Sequence, residues 1–237
     1  MERTKDLYLR FAKCQSAFRK ARRLDPRIRP FFVESFGLPK SYKTTFNNGV
    51  EHFLKREEWL IFAPPEGPEM VPVPYGRTPL FNFETFWYSM RNMYMLHESL
   101  FEAILLERAI FDHVTWLEYW TRKGKISKHE RKIGEDYALQ PLLRDKFDLH
   151  LCFVADPAVA LAREVSSTIS KREGETMNTG TLETLLDIHQ TVYDRFKGAN
   201  DPKMRWIDTT TMPINEVVLL GLEYICEAFE ARVKTLK

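Results

Sequence analysis

Five short apolar runs recur along the chain, and segments with helical periodicity separate each run from the next. The runs occupy residues 30–36, 59–63, 103–106, 148–154 and 204–208. Apolar runs of this length, bounded by turn residues, are typical of buried strands, and strands that alternate with helices form βαβ units. The sequence therefore predicts an α/β fold with a three-layer architecture, in which helices cover both faces of a parallel sheet of about five strands.

The segments between the apolar runs predict the helices that cover this sheet, at residues 44–58, 82–99, 112–124, 127–145, 157–167, 180–196 and 215–233. We expect Asn82 to cap the second of these helices, because asparagine is a favoured N-cap residue. The aromatic residues of that helix are typical of a core face: Phe86, Trp87, Tyr88 and Tyr94. The proline-rich stretch at 64–79 is expected to be a loop.

A basic helix is predicted at residues 7–24, before the first strand. Its apolar stripe comprises Leu7, Phe11, Cys14 and Phe18, with lysine and arginine on the other side. The basic character of the chain is local, since residues 1–29 hold ten Lys and Arg against three acids while the whole chain has a net charge of only +2. We expect residues 1–28 to form a basic helical N-terminal extension and residues 29–237 to form one domain.

The composition excludes several other classes of protein. The chain is 44% hydrophobic and contains 17 Phe and 5 Trp, so it can build a core without disulfides, and it is neither collagenous nor disordered. The three cysteines are scattered and indicate ordinary buried thiols in a reducing compartment. No apolar run approaches the roughly 20 residues of a membrane-spanning helix, and the N-terminus lacks a secretory signal pattern. We therefore expect a cytoplasmic protein without a membrane partner.

A phosphate-binding pattern follows the first apolar run. Gly37, Lys43 and Thr44 have the spacing of the GxxxxGK[S/T] loop, which lies between a strand and a helix. In such loops backbone N–H groups surround a phosphate, the lysine neutralises phosphate charge and the hydroxyl binds Mg²⁺. Lys40 and Tyr42 stand where this loop and its GxPGSGKTT variant have glycine. Their side chains either meet the phosphate or force another backbone path.

Further motifs lie at the ends of three other predicted strands. Glu66 follows the second run, Glu107 and Arg108 begin the motif ERAIFD after the third, and residues 153–164 lead from the fourth into a helix that contains Arg163. In order and context these motifs resemble the P-loop nucleoside and nucleotide kinases. This group includes the deoxynucleoside kinases, the thymidylate kinases and the AAA-labelled ATPases that are similar to them.

The resemblance covers roughly residues 29–235, and what it implies is phosphoryl transfer from ATP, with Mg²⁺, to the hydroxyl of a nucleoside, a nucleotide or a similar small molecule. It implies that residues 170–178 form a lid. The implied catalytic residues are Glu66 as general base, Glu107 and Arg108. The implied nucleotide-binding residues are Gly37, Ser41, Lys43, Thr44, Arg163 and Arg172. The implied magnesium environment is Thr44 and Glu107.

Other interpretations of these segments stay open at the level of sequence. The two missing glycines favour a degenerate loop that serves binding or regulation without catalysis, although a relic would not be expected to keep Lys43 and Arg108. Glu66 could be a solvated loop carboxylate, and Glu107 with Arg108 a surface ion pair. The basic helix could contact nucleic acid or an acidic protein, but it carries no recognised binding motif. We therefore expect small-molecule partners and leave a homo-oligomer open.

Overall fold

The computed structural model describes residues 2–71, 78–167, 176–198 and 203–236 of the 237-residue chain. Five strands form one sheet: β1 (Phe31–Gly37), β2 (Ile61–Phe62), β3 (Ala103–Glu107), β4 (Leu149–Val154) and β5 (Met204–Asp208). The strand order is β2-β3-β1-β4-β5, and every neighbouring pair is parallel. The predicted parallel α/β sheet is confirmed, and its carboxyl edge is where ligands bind in such sheets.

Helices surround the sheet within the described residues: α1 (Glu2–Leu24), α2 (Lys43–Arg56), α3 (Gly67–Met70), α4 (Pro79–Leu96), α5 (Ile110–Arg122), α6 (Lys128–Ala138), α7 (Pro141–Arg144), α8 (Pro157–Ser167), α9 (Thr179–Gly198) and α10 (Ile214–Thr235). None of the helices in this part of the chain combines the length and the apolar character that crossing a membrane requires.

Strand β1 shows how the sheet divides the core into two layers. Alternate side chains of a strand point to opposite faces. Phe32 and Phe36 pack in one apolar cluster with residues of α4, α5 and α9, whereas Phe31 and Val33 pack in a second cluster with residues of α1, α2 and α10. All seven residues of β1 are buried, as expected for a central strand covered on both faces.

Helix α1 lies against the second cluster. The predicted apolar stripe is buried, with Phe11 and Phe18 fully inaccessible, and Phe11 meets Phe229 of α10 edge to face. Several arginines of α1 form ion pairs with acids of the same chain. Arg10 pairs with Glu230 at 2.8 Å, and further arginines pair with Glu102 and Glu223. The boundary of an extension at residue 28 stays a prediction.

Several predicted element boundaries are wrong for local reasons. Helix α4 begins at Pro79, not at Asn82: the Thr78 hydroxyl accepts the cap hydrogen bond, and the Asn82 side chain accepts one from Trp120 at 2.6 Å. The helix predicted at 127–145 is two helices, because Pro141 begins a new turn at α7. The stretch at 64–79 contains the short helix α3, while its residues 72–77 lie outside the described ones.

Candidate functional site

The loop after β1 has left-handed backbone at the two positions where the sequence lacks the expected glycines. Lys40 has φ 58° and Tyr42 has φ 70°, so both residues adopt the left-handed conformation that normally favours glycine. Gly37 has φ 132°, and a Cβ there would lie 1.9 Å from the Phe153 carbonyl oxygen. The side chains at positions 40 and 42 therefore do not remove the left-handed turns at which the sequence lacks glycine.

Contacts from helix α8 hold the two strained residues in place. The Arg163 guanidinium lies 3.8 Å from the centre of the Tyr42 ring and donates to the Lys40 carbonyl oxygen at 3.1 Å. The Lys40 ammonium lies 2.8 Å from the Glu164 carboxylate. A left-handed non-glycine residue costs roughly 1–2 kcal/mol, and cation–π and charged contacts of this kind offset such a cost.

Lys43 and Ser41 point into the loop. The Lys43 ammonium donates to the Leu38 carbonyl oxygen at 2.8 Å, and the Ser41 hydroxyl donates to the same oxygen at 2.6 Å. Burial, reinforced by the nearby charge of Arg108, lowers the pKa of Lys43 to about 8. The lysine is thus held at the base of the loop as a desolvated cation, ready to meet a negative group.

Thr44 and Glu107 meet beside this lysine. The Thr44 hydroxyl lies 3.1 Å from Glu107 Oε1, and the Asn47 amide donates to Ser35 at 2.8 Å and to Glu107 Oε2 at 3.4 Å. Burial raises the pKa of Glu107 to about 7, and the charge of Lys43 opposes that rise. Sequence reasoning missed Asn47, although its position one helical turn after Thr44 was an available signal.

One hydroxyl and one carboxylate fit a magnesium ion that is also held by phosphate. Mg²⁺ usually binds through one or two carboxylates together with waters and substrate phosphates. Thr44 and Glu107 are such a donor set, and no cluster of three or more His, Cys, Asp or Glu that could hold a metal occurs in the described part of the chain. The donors present therefore suit a cation that arrives with a nucleotide more than a resident metal.

Arg108 joins the two predicted acidic motifs. It has φ 62°, and its guanidinium donates to Glu66 at 2.9 Å and to Asp112 at 3.1 Å. Burial acts to raise the pKa of Glu66, but the charge and hydrogen bond of Arg108, with the charge of Lys43, outweigh it and lower that pKa. Glu66 is therefore an ionised carboxylate at neutral pH, held beside a buried guanidinium.

The Glu34 carboxylate, which sequence reasoning missed, is buried and binds the backbone of the residues that follow Arg108. Glu34, in the middle of β1, accepts hydrogen bonds from the backbone N–H groups of Ala109, Phe111 and Asp112 at 2.9, 3.0 and 3.3 Å. Its other oxygen lies 2.8 Å from His150 Nδ1. A charged residue inside an apolar run was the available signal, because buried charges require partners.

Two cavities lie side by side at the carboxyl edge of the sheet. The first, of about 480 Å³, brings together most of the predicted site residues: Lys43, Thr44, Glu66, Glu107, Arg108 and Arg163. The second, of about 510 Å³, lies between α4, α5 and residues 176–181, and its lining includes Trp116 and Trp120. Pro39 and Arg108 line both cavities. Two ligands can therefore meet at Arg108.

Two predicted site residues, among those that the structure describes, do not line the first cavity. Gly37 and Ser41 shape the loop from beneath, through the close approach of Gly37 to Phe153 and the hydrogen bond of Ser41 to the loop carbonyl. Arg172 lies outside the described residues, as does most of the predicted lid at 170–178. From that segment, Thr176 and Asn178 line the second cavity. The chemical roles of the site residues stay predictions.

Comparison with known proteins gives a fold but no sequence relative. No family model and no curated protein sequence matches the chain. Thymidylate kinase from Candida albicans matches with a TM-score of 0.58 and 16% identity over 83% of this chain and 91% of that chain. Deoxyadenosine kinase from M. mycoides, in a structure with bound dATP, matches with a TM-score of 0.59 and 14% identity over 82% of this chain and 99% of that chain. A second structure of that kinase, with bound dCTP, matches with the same TM-score and identity over 82% of this chain and 98% of that chain.

These similarities cover more than four fifths of the chain, and Lys43 and Thr44 begin α2 after the loop that follows β1, as the resemblance of the motifs requires. At 14–16% identity they show the fold alone. The chain therefore has the fold of the P-loop nucleoside and nucleotide kinases.

Proposed function

We propose that this protein binds ATP with Mg²⁺ and transfers the terminal phosphoryl group to the hydroxyl of a nucleoside, a nucleotide or a similar small acceptor. The observation that carries the proposal is the meeting of two cavities at Arg108, one lined by cations and the other by aromatic rings. Phosphoryl transfer depends mainly on positioning and on neutralisation of charge, and this arrangement suits both. The cytoplasmic location expected from the sequence also remains a prediction.

The first cavity would hold the phosphates of the donor. Lys43 would exchange the Leu38 carbonyl for a phosphate oxygen, and Arg108 would neutralise charge on the transferred group. Thr44 and Glu107 would hold Mg²⁺, which supplies further neutralisation of phosphate charge when bound. Arg163 supports the loop through Lys40 and Tyr42 and lines the same cavity.

Glu66 would receive the proton of the acceptor. In the step we propose, the acceptor oxygen forms a bond to the terminal phosphorus, the bond from that phosphorus to the bridging oxygen breaks, and ADP leaves with that electron pair. The hydroxyl proton passes to the Glu66 carboxylate. Its lowered pKa keeps Glu66 ionised and able to accept a proton, and its hydrogen bond to Arg108 fixes its position at the junction of the cavities.

The second cavity would hold the acceptor. The rings of Trp116, Trp120 and Phe81 line it, so a planar group can stack there, while Arg108 and Asp112 lie at the end nearest Glu66. The structural neighbours are a thymidylate kinase and a deoxyadenosine kinase, which supports a nucleoside or nucleotide acceptor without choosing between them.

A binding or regulatory role without catalysis is the second candidate. The observation that favours it is that cations at the loop already have partners within the chain: Lys40 pairs with Glu164, and Arg163 lies against the Tyr42 ring. A loop with these internal contacts could hold a nucleotide and yet fail to align it for transfer. Both candidates require nucleotide binding, and they differ only in turnover.

A transfer assay separates these two candidates. Labelled ATP and a panel of nucleosides and nucleoside monophosphates are incubated with wild type, Glu66→Gln and the control Glu69→Gln. Glu69 is an exposed acid of α3, the short helix that Glu66 precedes. We expect Glu66→Gln to lower the transfer rate by about two to four orders of magnitude with an unchanged melting temperature, and Glu69→Gln to match wild type. Equal rates for both variants would contradict the role of Glu66. Nucleotide binding without any transfer would favour the regulatory candidate.

A further inference from the structure

The second cavity at the carboxyl edge of the sheet follows one face of α5. Asp112, Trp116, Trp120 and Lys123 all line it and follow each other at intervals of four, four and three residues. Residues at such intervals lie on one face of a helix. From Asp112 to Lys123 the chain advances roughly 16 Å along the helix axis. The cavity is therefore elongated, with a buried inner end at Asp112, beside Arg108, and an exposed outer end at Lys123.

The Arg108 charge at the inner end of this cavity already has partners. Its guanidinium donates to Glu66 at 2.9 Å and to Asp112 at 3.1 Å. In the proposed transfer it also neutralises charge on the transferred phosphoryl group. A phosphate of the acceptor placed here would lie against two carboxyl groups, and like charges at such distances repel each other. The inner end therefore favours an uncharged hydroxyl of the acceptor.

The middle of the cavity is an aromatic wall whose rings are held in place. The rings of Trp116 and Trp120 lie 6.2 Å apart, and each lies 5.1 Å from the ring of Tyr119. The indole N–H of Trp120 donates to the Asn82 side chain at 2.6 Å, and the Lys123 ammonium lies 5.5 Å from the centre of the Tyr119 ring. Rings of this kind offer faces on which a nucleobase can stack.

The outer end of the cavity carries two lysines, Lys123 and Lys125, which are exposed and line it. Within the described part of the chain, neither ammonium has an acidic partner at ion-pair distance. The neighbouring Arg122, which does not line the cavity, pairs with Glu118 at 2.9 Å and with Asp187 at 2.6 Å. The positive charge that faces the cavity is therefore available to an anion of a bound molecule.

From this order of charges and rings we infer that the acceptor is a nucleoside with a free primary hydroxyl that also carries a phosphate on the 3′ side of its sugar. The inference rests on the proposed function, because Glu66 must receive the proton of the primary hydroxyl. A phosphate on the acceptor is therefore attached elsewhere on the sugar, where Lys123 and Lys125 can neutralise it. This 3′-phosphate takes no part in the transfer step. A nucleoside 3′-monophosphate and the 5′-hydroxyl end of a short strand share this chemistry.

Two isomers of equal charge test this inference through binding alone. Calorimetry measures the affinity of the full chain for each common nucleoside, its 3′-monophosphate and its 5′-monophosphate, with Mg²⁺ and a non-hydrolysable ATP analogue present. We expect the 3′-monophosphate of at least one base to bind about 5- to 30-fold more tightly than both the 5′ isomer and the nucleoside. The Lys123→Gln, Lys125→Gln double variant should lose this preference and keep the wild-type affinity for the nucleoside.

A matched control variant removes two lysines elsewhere. Lys13 and Lys20 are exposed on α1, which packs on the other face of the sheet, so the Lys13→Gln, Lys20→Gln variant should keep the preference for the 3′ isomer. A 5′-hydroxyl dinucleotide that ends in a 3′-phosphate separates the two sources of this chemistry. Tighter binding than that of the mononucleotide would identify a strand end, and equal binding a free nucleotide.

The binding measurement and the transfer assay fail separately. Equal affinity for the two isomers, a preference that survives in the Lys123→Gln, Lys125→Gln variant, or no binding of any 3′-monophosphate would each overturn the inference. A preference that depends on these lysines, together with absence of label transfer from ATP, would uphold the 3′-phosphate site and contradict the proposed phosphoryl transfer.

Discussion

Lys40 and Tyr42 show how two left-handed positions of a loop can be occupied by residues other than glycine. Glycine is favoured at these positions because it adopts positive φ without strain. Here both side chains carry that strain, and each has a partner on α8: Glu164 for Lys40 and Arg163 for Tyr42. The two residues with strained backbone are thus also the ones whose side chains attach the loop to α8. Replacement of glycine at these positions therefore does not abolish the left-handed conformation.

Restoring the glycines tests what these side chains do to a nucleotide. We expect the Lys40→Gly, Tyr42→Gly double variant to bind Mg-ATP more tightly than wild type, because the two side chains no longer occupy space that the backbone N–H groups would share with phosphate, and the Tyr42 ring no longer covers Arg163. Calorimetric titration of the two proteins measures the difference. Weaker binding by the double variant would mean that Lys40 or Tyr42 itself contacts the nucleotide.

We expect His113 to make the stability of the protein sensitive to acid. The ring is buried against Phe86 at 4.2 Å, and its Nδ1 has no hydrogen-bond partner among the described residues. Burial lowers its pKa to about 4, and only the carbonyl of Asn82 favours the charged form. The native state therefore binds fewer protons at His113 than the unfolded state between pH 6.5 and about 4.

The contribution of neutral His113 to stability is thus complete above pH 6.5 and is lost as the pH falls toward 4. For wild type we expect the titration of His113 to lower the free energy of unfolding by about 2 kcal/mol when the pH falls from 7.5 to 5. His113→Phe should lack this part of the loss, whereas His129→Phe, at an exposed position of α6, should behave as wild type. Urea unfolding at both pH values measures the slope, and an unchanged slope in His113→Phe would contradict the assignment.

At the scale of elements, Glu34 ties helix α5 to the central strand. Removing its carboxylate would leave three backbone N–H groups and His150 Nδ1 unpaired in the interior. We expect Glu34→Ala to lower the free energy of unfolding by about 3 kcal/mol or more. Glu34→Gln should lose much less, because its amide oxygen can accept from the N–H groups and its nitrogen can donate to His150. Equal losses in urea unfolding would show that Glu34 does not act through these hydrogen bonds.

Helix α1 contributes to the core through large apolar side chains. Phe11 is fully buried and lies against Phe53, Trp59 and Phe229. We expect Phe11→Ala to reduce the free energy of unfolding by about 3–5 kcal/mol, and Leu9→Ala, at an exposed position of the same helix, to change it by less than about 0.5 kcal/mol. Guanidinium unfolding measures both. A similar small effect at the two positions would mean that α1 does not stabilise the domain, as expected of a loosely attached extension.

The sequence predicts the elements better than their ends and faces. The apolar runs predict all five strands of the described part of the chain, because a strand buried on both faces needs no periodicity to be recognised. The predicted start of α4 is wrong because Thr78 and Asn82 are both good N-cap residues, and only the path of the preceding chain decides between them. The prediction of Trp87 as a core residue is wrong, since its side chain is 49% exposed, because residue type does not tell which side of a helix meets the sheet.

At the scale of the whole molecule, the site is assembled where the strands end. Strands β3 and β1 are neighbours in the sheet, so the residues at the end of β3 lie beside the loop that follows β1. Glu107 therefore contacts Thr44, which lies 63 residues earlier in the chain. Such meetings follow from the rule that parallel strands share a carboxyl edge, and the sequence could therefore predict them. The hydrogen bonds from Arg108 to Glu66 and from Glu34 to the start of α5 could not be predicted, because they depend on side-chain paths that spacing does not encode.

The central claim, that the loop after β1 binds a nucleotide through its lysine, is tested most directly by calorimetric titration of Mg-ATP into wild type, Lys43→Met and Lys55→Met. Lys55 lies near the far end of α2, where it pairs with Glu51, so its substitution controls for the loss of one positive charge. We predict binding by wild type and Lys55→Met, and affinity reduced by about 10- to 100-fold in Lys43→Met with a comparable melting temperature. Absence of heat at about millimolar ATP in wild type, or equal affinity in Lys43→Met, would contradict the account.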